Sequence, residues 1–233
     1  MNPIEIIPIE GLPEIHPGDR IADLLAASGA DLREGDVVVV TQKVVSKAEG
    51  RMEAVDPRDP AARAAIVERE SVRVLRRRGD LVISETASGF VCANAGVDQS
   101  NVPDGYITLL PVDADRSARR IRDGLAHRPG VDVGVIVSDT FGRTWRNGVT
   151  DVAIGCAGIA AVVDLRGTTD SLGRTLQVTE VAVADELAAA AELVMGKSAR
   201  IPAAVIRGID RSWFRPSSVR AEIVRPPAGD LFR

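Results

Sequence analysis

Four consecutive valines in "GDVVVVTQK" (35–43), and the run "VGVIV" within "VDVGVIVSDT" (131–140), constrain this fold more than any other feature. A strand with one wet face alternates apolar and polar residues. These runs do not alternate, so each reads as a strand covered on both faces, which requires packing layers above and below a sheet. The rest of the chain supplies them. "IEIIPIE" (4–10), "DLVISET" (80–86), "GYITLLP" (105–111) and "IPAAVIRG" (201–208) are short apolar runs that read as further strands. Helical patterns lie between them. "DRIADLLAAS" (19–28), capped by Asp19, places Ile21, Leu24, Leu25 and Ser28 on one side, and "DRSARRIRDGLAHR" (115–128) turns Ile121 and Leu125 inward. "ELAAAAELVM" (186–195), capped by Asp185, aligns Leu187, Ala190, Ala191 and Val194.

A charged helix is expected over about 59–78, with Asp59 as cap, Pro60 at the first helical position and Gly79 as the stop. The arginines 76–78 then either complement its negative dipole end in solvent or bind an anion. The Gly-, Ala- and Val-rich segment from Gly148 to Asp164 fits strands, a helix, or both. No fixed-period repeat or low-complexity linker divides the chain. The expectation is one mixed α/β (α+β) domain over 1–233, with mixed sheets and flanking helices and an unreadable strand order.

With two Trp, one Tyr and four Phe, the core must be aliphatic. A net charge of −4 leaves no basic footprint, so nucleic acid is not an expected partner. No apolar run approaches the roughly 20 residues of a membrane span, and "MNPIEIIPIE" has acids and prolines where a signal peptide has a basic start and an apolar core. A cytoplasmic protein with no membrane partner is expected. Cys92 and Cys156 lack metal-site or disulfide spacing and read as packed, inert thiols.

Three polar clusters follow the apolar runs. "CANAGVDQSNVPDG" (92–105) contains Asp98 and Asn101; "VSDTFGRTWRNGVTD" (137–151) puts Asp139 and Thr140 directly after a buried strand; "VTQKVVSKAEGR" (40–51) delivers Lys43, Ser46, Lys47 and Glu49 past another. Ligands gather beyond strand ends in sheets of this kind. Carboxylate plus hydroxyl is hard-oxygen chemistry, suited to Mg²⁺ or Mn²⁺ shared with phosphates. Each aspartate is equally readable as a turn residue bonding its own backbone, and each lysine as a solvated strand cap. Arg143 and Arg146 either clamp an anion or pair with Asp151 on the surface. "MGKSARIP" (195–202) has the Gly-Lys-Ser of a phosphate loop, but its helix precedes the glycine instead of following it, so Gly196 reads as a helix stop. His16 and His127 have no partners at ligand spacing, and neither a nucleophile elbow nor a dinucleotide fingerprint is present.

"GDVVVVTQKVVSKAEGR", "NAGVDQSNVPDG" and "VSDTFGRTWRNGVTDVAIGCAGI", with "GLPEIHPGD" before them and "ELVMGKSARIPAAVIRG" after, resemble the gamma-glutamyl ligases of coenzyme F420 in order along nearly the whole chain. The resemblance implies a stand-alone ligase domain, without the flavin-binding nitroreductase-like domain that follows in some relatives, and with two intertwined subdomains as one option. It implies GTP as co-substrate, Mg²⁺ or Mn²⁺ with K⁺ as a further candidate, and F420-0 and L-glutamate as substrates. It also implies a homodimer, to which Gly148–Asp164 would contribute an interface or only core. By motif, Asp98, Asp139 and Thr140 correspond to the metal site, with Asp98, Asp139 and Lys47 as the catalytic set. Gly11, Leu12, Pro13, Glu14, Gln42, Lys47, Asn101, Met195, Gly196, Lys197 and Ser198 correspond to nucleotide contacts. Relatives often have Ser at the position of Gln42, so its contact is expected through the backbone. A metal-dependent nucleotide hydrolase or phosphotransferase on another acceptor, and a non-catalytic GTP sensor, are the rival readings.

Overall fold

The computed structural model describes residues 3–56 and 58–231. In chain order the elements are β1 (Glu5–Ile9), α1 (Ile21–Ala27), β2 (Val37–Thr41), α2 (Gln42–Ala48), β3 (Met52–Ala54), α3 (Pro60–Glu70), β4 (Ser71–Arg78), β5 (Leu81–Thr86) and β6 (Val91–Ala93). Then come β7 (Tyr106–Thr108), α4 (Ala114–His127), β8 (Gly134–Arg143), β9 (Arg146–Ala157), β10 (Val163–Asp164), β11 (Glu180–Val181), α5 (Val183–Met195), β12 (Ala203–Arg207) and α6 (Val219–Glu222).

The organising sheet has five strands in the order β1-β12-β2-β8-β9, with β2 and β8 parallel and every other pair antiparallel. The unalternating runs form its centre, and strand geometry sends their successive side chains to opposite faces. Val38, Val40, Val135 and Val137 pack against Leu25 of α1 and Ala118, Ile121 and Leu125 of α4. Val37, Val39 and Ile136 pack against Leu187, Ala188, Ala191 and Met195 of α5. A smaller core joins Val55, Val67, Val82, Val97, Ile107 and Leu109 beneath α3 and the three-stranded sheet β4-β5-β6. The architecture is a mixed α+β fold, as the alternation of apolar runs and helical patterns predicts.

Local details depart from the sequence reading for physical reasons. The helix expected over 59–78 stops at Glu70: Asp59 does cap it, accepting from the Ala61 and Ala62 N–H groups, but at its end the Ser71 hydroxyl donates to the Val67 carbonyl and its oxygen accepts from the Ser84 hydroxyl. Val72 and Val74 then extend, and Gly79, at φ +58°, turns a hairpin into β5 instead of ending a helix. Arg76–Arg78 consequently lie along an exposed strand, not at a helix end. Neither Asp19 nor Asp185 caps its helix. The Asp19 carboxylate accepts from the His16 N–H, and that of Asp185 from the Ala153 N–H, which ties α5 to β9. Gly148–Asp164 contributes most of β9 and all of β10, with no helix. Gly155 in β9 lies so close to the first residues of α4 that a Cβ would fall 2.2 Å from the Ala114 carbonyl carbon.

Among the described residues no helix is long and apolar enough to cross a membrane. Cys92 and Cys156 are free and buried, and burial pushes each thiol up to about 12.

Candidate active site

Register brings distant segments to one rim of the main sheet. The parallel pairing of β2 with β8 stops at Thr41 opposite Ser138, and β8 runs on to Arg143 beside β9. β12 runs the other way and starts beside Val40, so the loop 196–202 that feeds it arrives at the same rim. β1 ends opposite that start, at Ile9, and sends 10–15 across. β9 returns along β8 and sets Asp151 opposite Thr140. The result is a cleft of about 780 Å³ beyond the ends of the parallel pair, where open sheets collect ligands.

Of the fourteen residues that the family motifs assign to the metal, nucleotide and catalytic sets, eleven line it: Leu12, Pro13, Glu14, Gln42, Lys47, Asn101, Asp139, Thr140, Gly196, Lys197 and Ser198. Three do not. Gly11 is exposed at φ +74° and turns the chain into the wall that Leu12 begins. Met195 is fully buried in the core beneath α5, so its side chain cannot reach a ligand in the cleft. Asp98 stands just behind the lining, joined to it by a 2.6 Å ion pair with Lys43.

The electrostatics differ from one aspartate to the next. Burial pushes the Asp139 carboxyl up to about 7; the Thr140 N–H and the Lys43 charge work against that rise, while Asp98 and Asp151 add to it. For Asp98, burial acts the same way but is outweighed by Lys43 and by the Ser100 N–H and hydroxyl, which hold the carboxyl below its usual range. Asp151, pictured from sequence as a surface partner for Arg143 or Arg146, is 2% exposed. Its Oδ2 accepts from Ser138 Oγ at 3.0 Å, and its Oδ1 from Thr140 Oγ1 at 2.6 Å and Lys197 Nζ at 3.0 Å. Counting back from the hairpin turn would pair Thr140 with Val149, but a register shift between Gly142 and Arg143 moves the ladder by two residues and brings Asp151 there instead. Arg143 instead donates to the Asn147 carbonyl at the exposed hairpin tip, next to Trp145.

The lysines are held as well. Lys47 pairs with Glu14 at 2.5 Å, and Lys197 with Glu192 at 3.0 Å. Partial burial disfavours the Lys197 charge, but Glu192 and Asp151 outweigh it and raise its affinity for the proton. Gln42 is in the cleft lining, but its side-chain amide is bonded in the core. Its Nε2 donates to Ser46 Oγ at 2.6 Å and to the Leu109 carbonyl at 3.0 Å, inside the core. Ser46, also buried, serves the same carbonyl, and Glu49 accepts from Ser117, so neither is a cleft residue. Gly196 does end α5, at φ +58°, which leaves Lys197 and Ser198 free of the helix at the cleft wall.

Among the described residues no three His, Cys, Asp or Glu side chains cluster tightly enough to cage a metal by themselves. Asp139 and Thr140, with Asp98 close behind, offer only oxygen donors. That set suits a hard divalent ion that keeps water and phosphate oxygens in its shell, and not zinc.

A family model described as F420-0:Gamma-glutamyl ligase matches residues 11–208. The coenzyme F420:L-glutamate ligase of Methanopyrus kandleri is 44% identical, over 99% of this chain and 97% of its own. The enzymes of the same name from Methanothermobacter thermautotrophicus and Haloarcula marismortui are 42% and 39% identical, each over 99% of this chain and at least 96% of their own. The matched span contains every segment that reaches the rim of the sheet, and the chain belongs to the F420-0:gamma-glutamyl ligase family.

Proposed function

We propose that this chain is a GTP-dependent ligase that joins L-glutamate to F420-0 and then adds further gamma-linked glutamates. The observation that carries the reading is the convergence of 12–15, 41–44 with Lys47, 138–140 and the loop 196–202 on one cleft that combines lysines with acidic oxygens. The names of the relatives supply the substrates.

Amide formation from a carboxylate is uphill in water. The terminal carboxylate of F420-0 therefore attacks the γ-phosphorus of GTP, the bond to GDP breaks, and an acyl phosphate forms. The glutamate amine adds to its acyl carbon, loses a proton and expels phosphate. Such transfers depend on positioning and charge neutralisation more than on covalent help from the protein. Asp139, Thr140 and Asp98 would hold the Mg²⁺ or Mn²⁺, which supplies neutralising charge for the phosphate oxygens. Lys47 and Lys197 take phosphate oxygens, the Gln42 main chain and Asn101 fix the nucleotide, and Leu12–Glu14 forms its wall. The arginines at the β8–β9 tip meet the acidic tail of the acceptor despite the net negative charge, because local fields decide the approach.

Mass spectrometry of F420-0 incubated with the protein, GTP, Mn²⁺ and glutamate should show added glutamyl units, with GDP released only when both acceptor and glutamate are present. GDP release without them would identify a hydrolase, and GTP that stays intact a sensor. Asp98→Ala and Asp139→Ala should each lower ligation at least a thousandfold while retaining the native circular dichroism spectrum.

A further inference from the structure

Asp151 and Lys197 form an arrangement that the ligation chemistry does not require. A carboxylate has no hydrogen to give, so the 2.6 Å contact between Thr140 Oγ1 and Asp151 Oδ1 fixes the Thr140 proton on Asp151. The remaining lone pairs of Thr140 then face away from Asp151, and the Lys197 ammonium sits against them while also touching Asp151 Oδ1. A cation already occupies the oxygen pair beside Asp139.

The two partners differ in their freedom to move. Asp151 is 2% exposed and locked in the β8–β9 ladder opposite Thr140, with Ser138 on its other oxygen. Lys197 is 56% exposed along its side chain and follows the helix-ending Gly196. Swinging its Nζ away breaks no core contact, and Glu192 at 3.0 Å can keep one end of the tether.

We infer that Lys197 is a resident counter-ion that competes with the divalent cation for the Thr140 and Asp151 oxygens, and that Asp151 is the positioning residue which aims Thr140 at whichever cation is present. The inference rests on the reading of Asp139 and Thr140 as the divalent-ion site. Arrival of the ion releases the Lys197 ammonium into the cleft, where phosphate is its next partner. Without the ion, the ammonium neutralises a group of acids that would otherwise repel one another.

The test is Mn²⁺ binding to the nucleotide-free protein, followed by electron paramagnetic resonance of the unbound ion. Lys197→Gln removes the competing charge at an exposed position and should bind Mn²⁺ about tenfold more tightly, whereas Lys197→Arg should stay near the wild-type value. Asp151→Asn keeps the volume but surrenders one charge and the fixed Thr140 orientation, and should bind at least tenfold more weakly. Unchanged or weaker Mn²⁺ binding by Lys197→Gln would overturn the competition. Asp139→Asn separates the two levels: if it leaves Mn²⁺ affinity unaltered, the ion-site reading itself fails. If it abolishes binding while Lys197→Gln changes nothing, only the exchange of cations is wrong.

Discussion

Asp98 and Asp139 carry the same side chain, yet their surroundings drive their acidities in opposite directions. Asp98 is held ionised by Lys43 and Ser100, and burial keeps a proton on Asp139 up to about pH 7. That asymmetry has a stability consequence in the metal-free protein. An unfolded Asp139 loses its proton near its ordinary value of 3.8, whereas the native one keeps it to about 7. Native stability therefore falls as pH rises between those values, and the full penalty persists above them. Asp139→Asn has no proton to lose, so with chelator present it should be more stable than the parent by about 1–2 kcal/mol at pH 8. Near pH 4 the two should coincide. Thermal melts at the two pH values check this, and a variant less stable at pH 8 would contradict it. Gln42 shows why residue roles cannot be read from position alone: a long polar side chain past a strand end looks available, but its amide is consumed by Ser46 and Leu109.

Elements position these residues through a few polar anchors. Asp115, in the first turn of α4, accepts from the Cys156 N–H of β9 at 2.8 Å and from the Val219 and Arg220 N–H groups of α6 at 2.8 and 3.2 Å. Asp115→Ala would leave three donors without their acceptor and should cost about 3 kcal/mol, measurable by urea denaturation. The hairpin β8–β9 carries Asp139, Thr140 and Asp151 on paired strands and projects Arg143, Trp145 and Arg146 beyond them. Replacing both arginines by alanine should raise KM for the F420 acceptor several-fold and leave KM for GTP within twofold; equal effects on both would remove the tip from acceptor recognition. The two central strands were legible because unalternating valine runs have no other stable home, and α4 because its apolar spacing is regular. β9 was not, since small residues in "GVTDVAIGCAGI" give a weak period, and its tight packing on α4 is a tertiary fact. The arginines 76–78 misled for a related reason: local composition favours a helix there, and a partner strand decides otherwise. The three polar clusters announced a rim, but only tertiary packing could bring Lys43 of α2 to Asp98, and only pairing register Asp151 to Thr140.

On the scale of the whole molecule, the cleft belongs to no single element, because its walls come from both ends and the middle of the chain. A ligand that bridges those walls should stabilise the native state as a unit. If the GTP–Mn²⁺ complex binds as one ligand, as proposed, then at about 100 times its dissociation constant the gain should be about 2.7 kcal/mol. For a chain of this size that is about 5–10 °C in Tm, read by differential scanning fluorimetry. Either component alone should shift Tm less than the pair. The sheet order adds a constraint of timing. β1 lies at the sheet edge and its neighbour there is β12, so among the described residues the first strand in sequence pairs with the last. On the ribosome, residues 5–9 must wait while residues 10–202 are made before residues 203–207 emerge to receive them, and until then that segment has no partner strand.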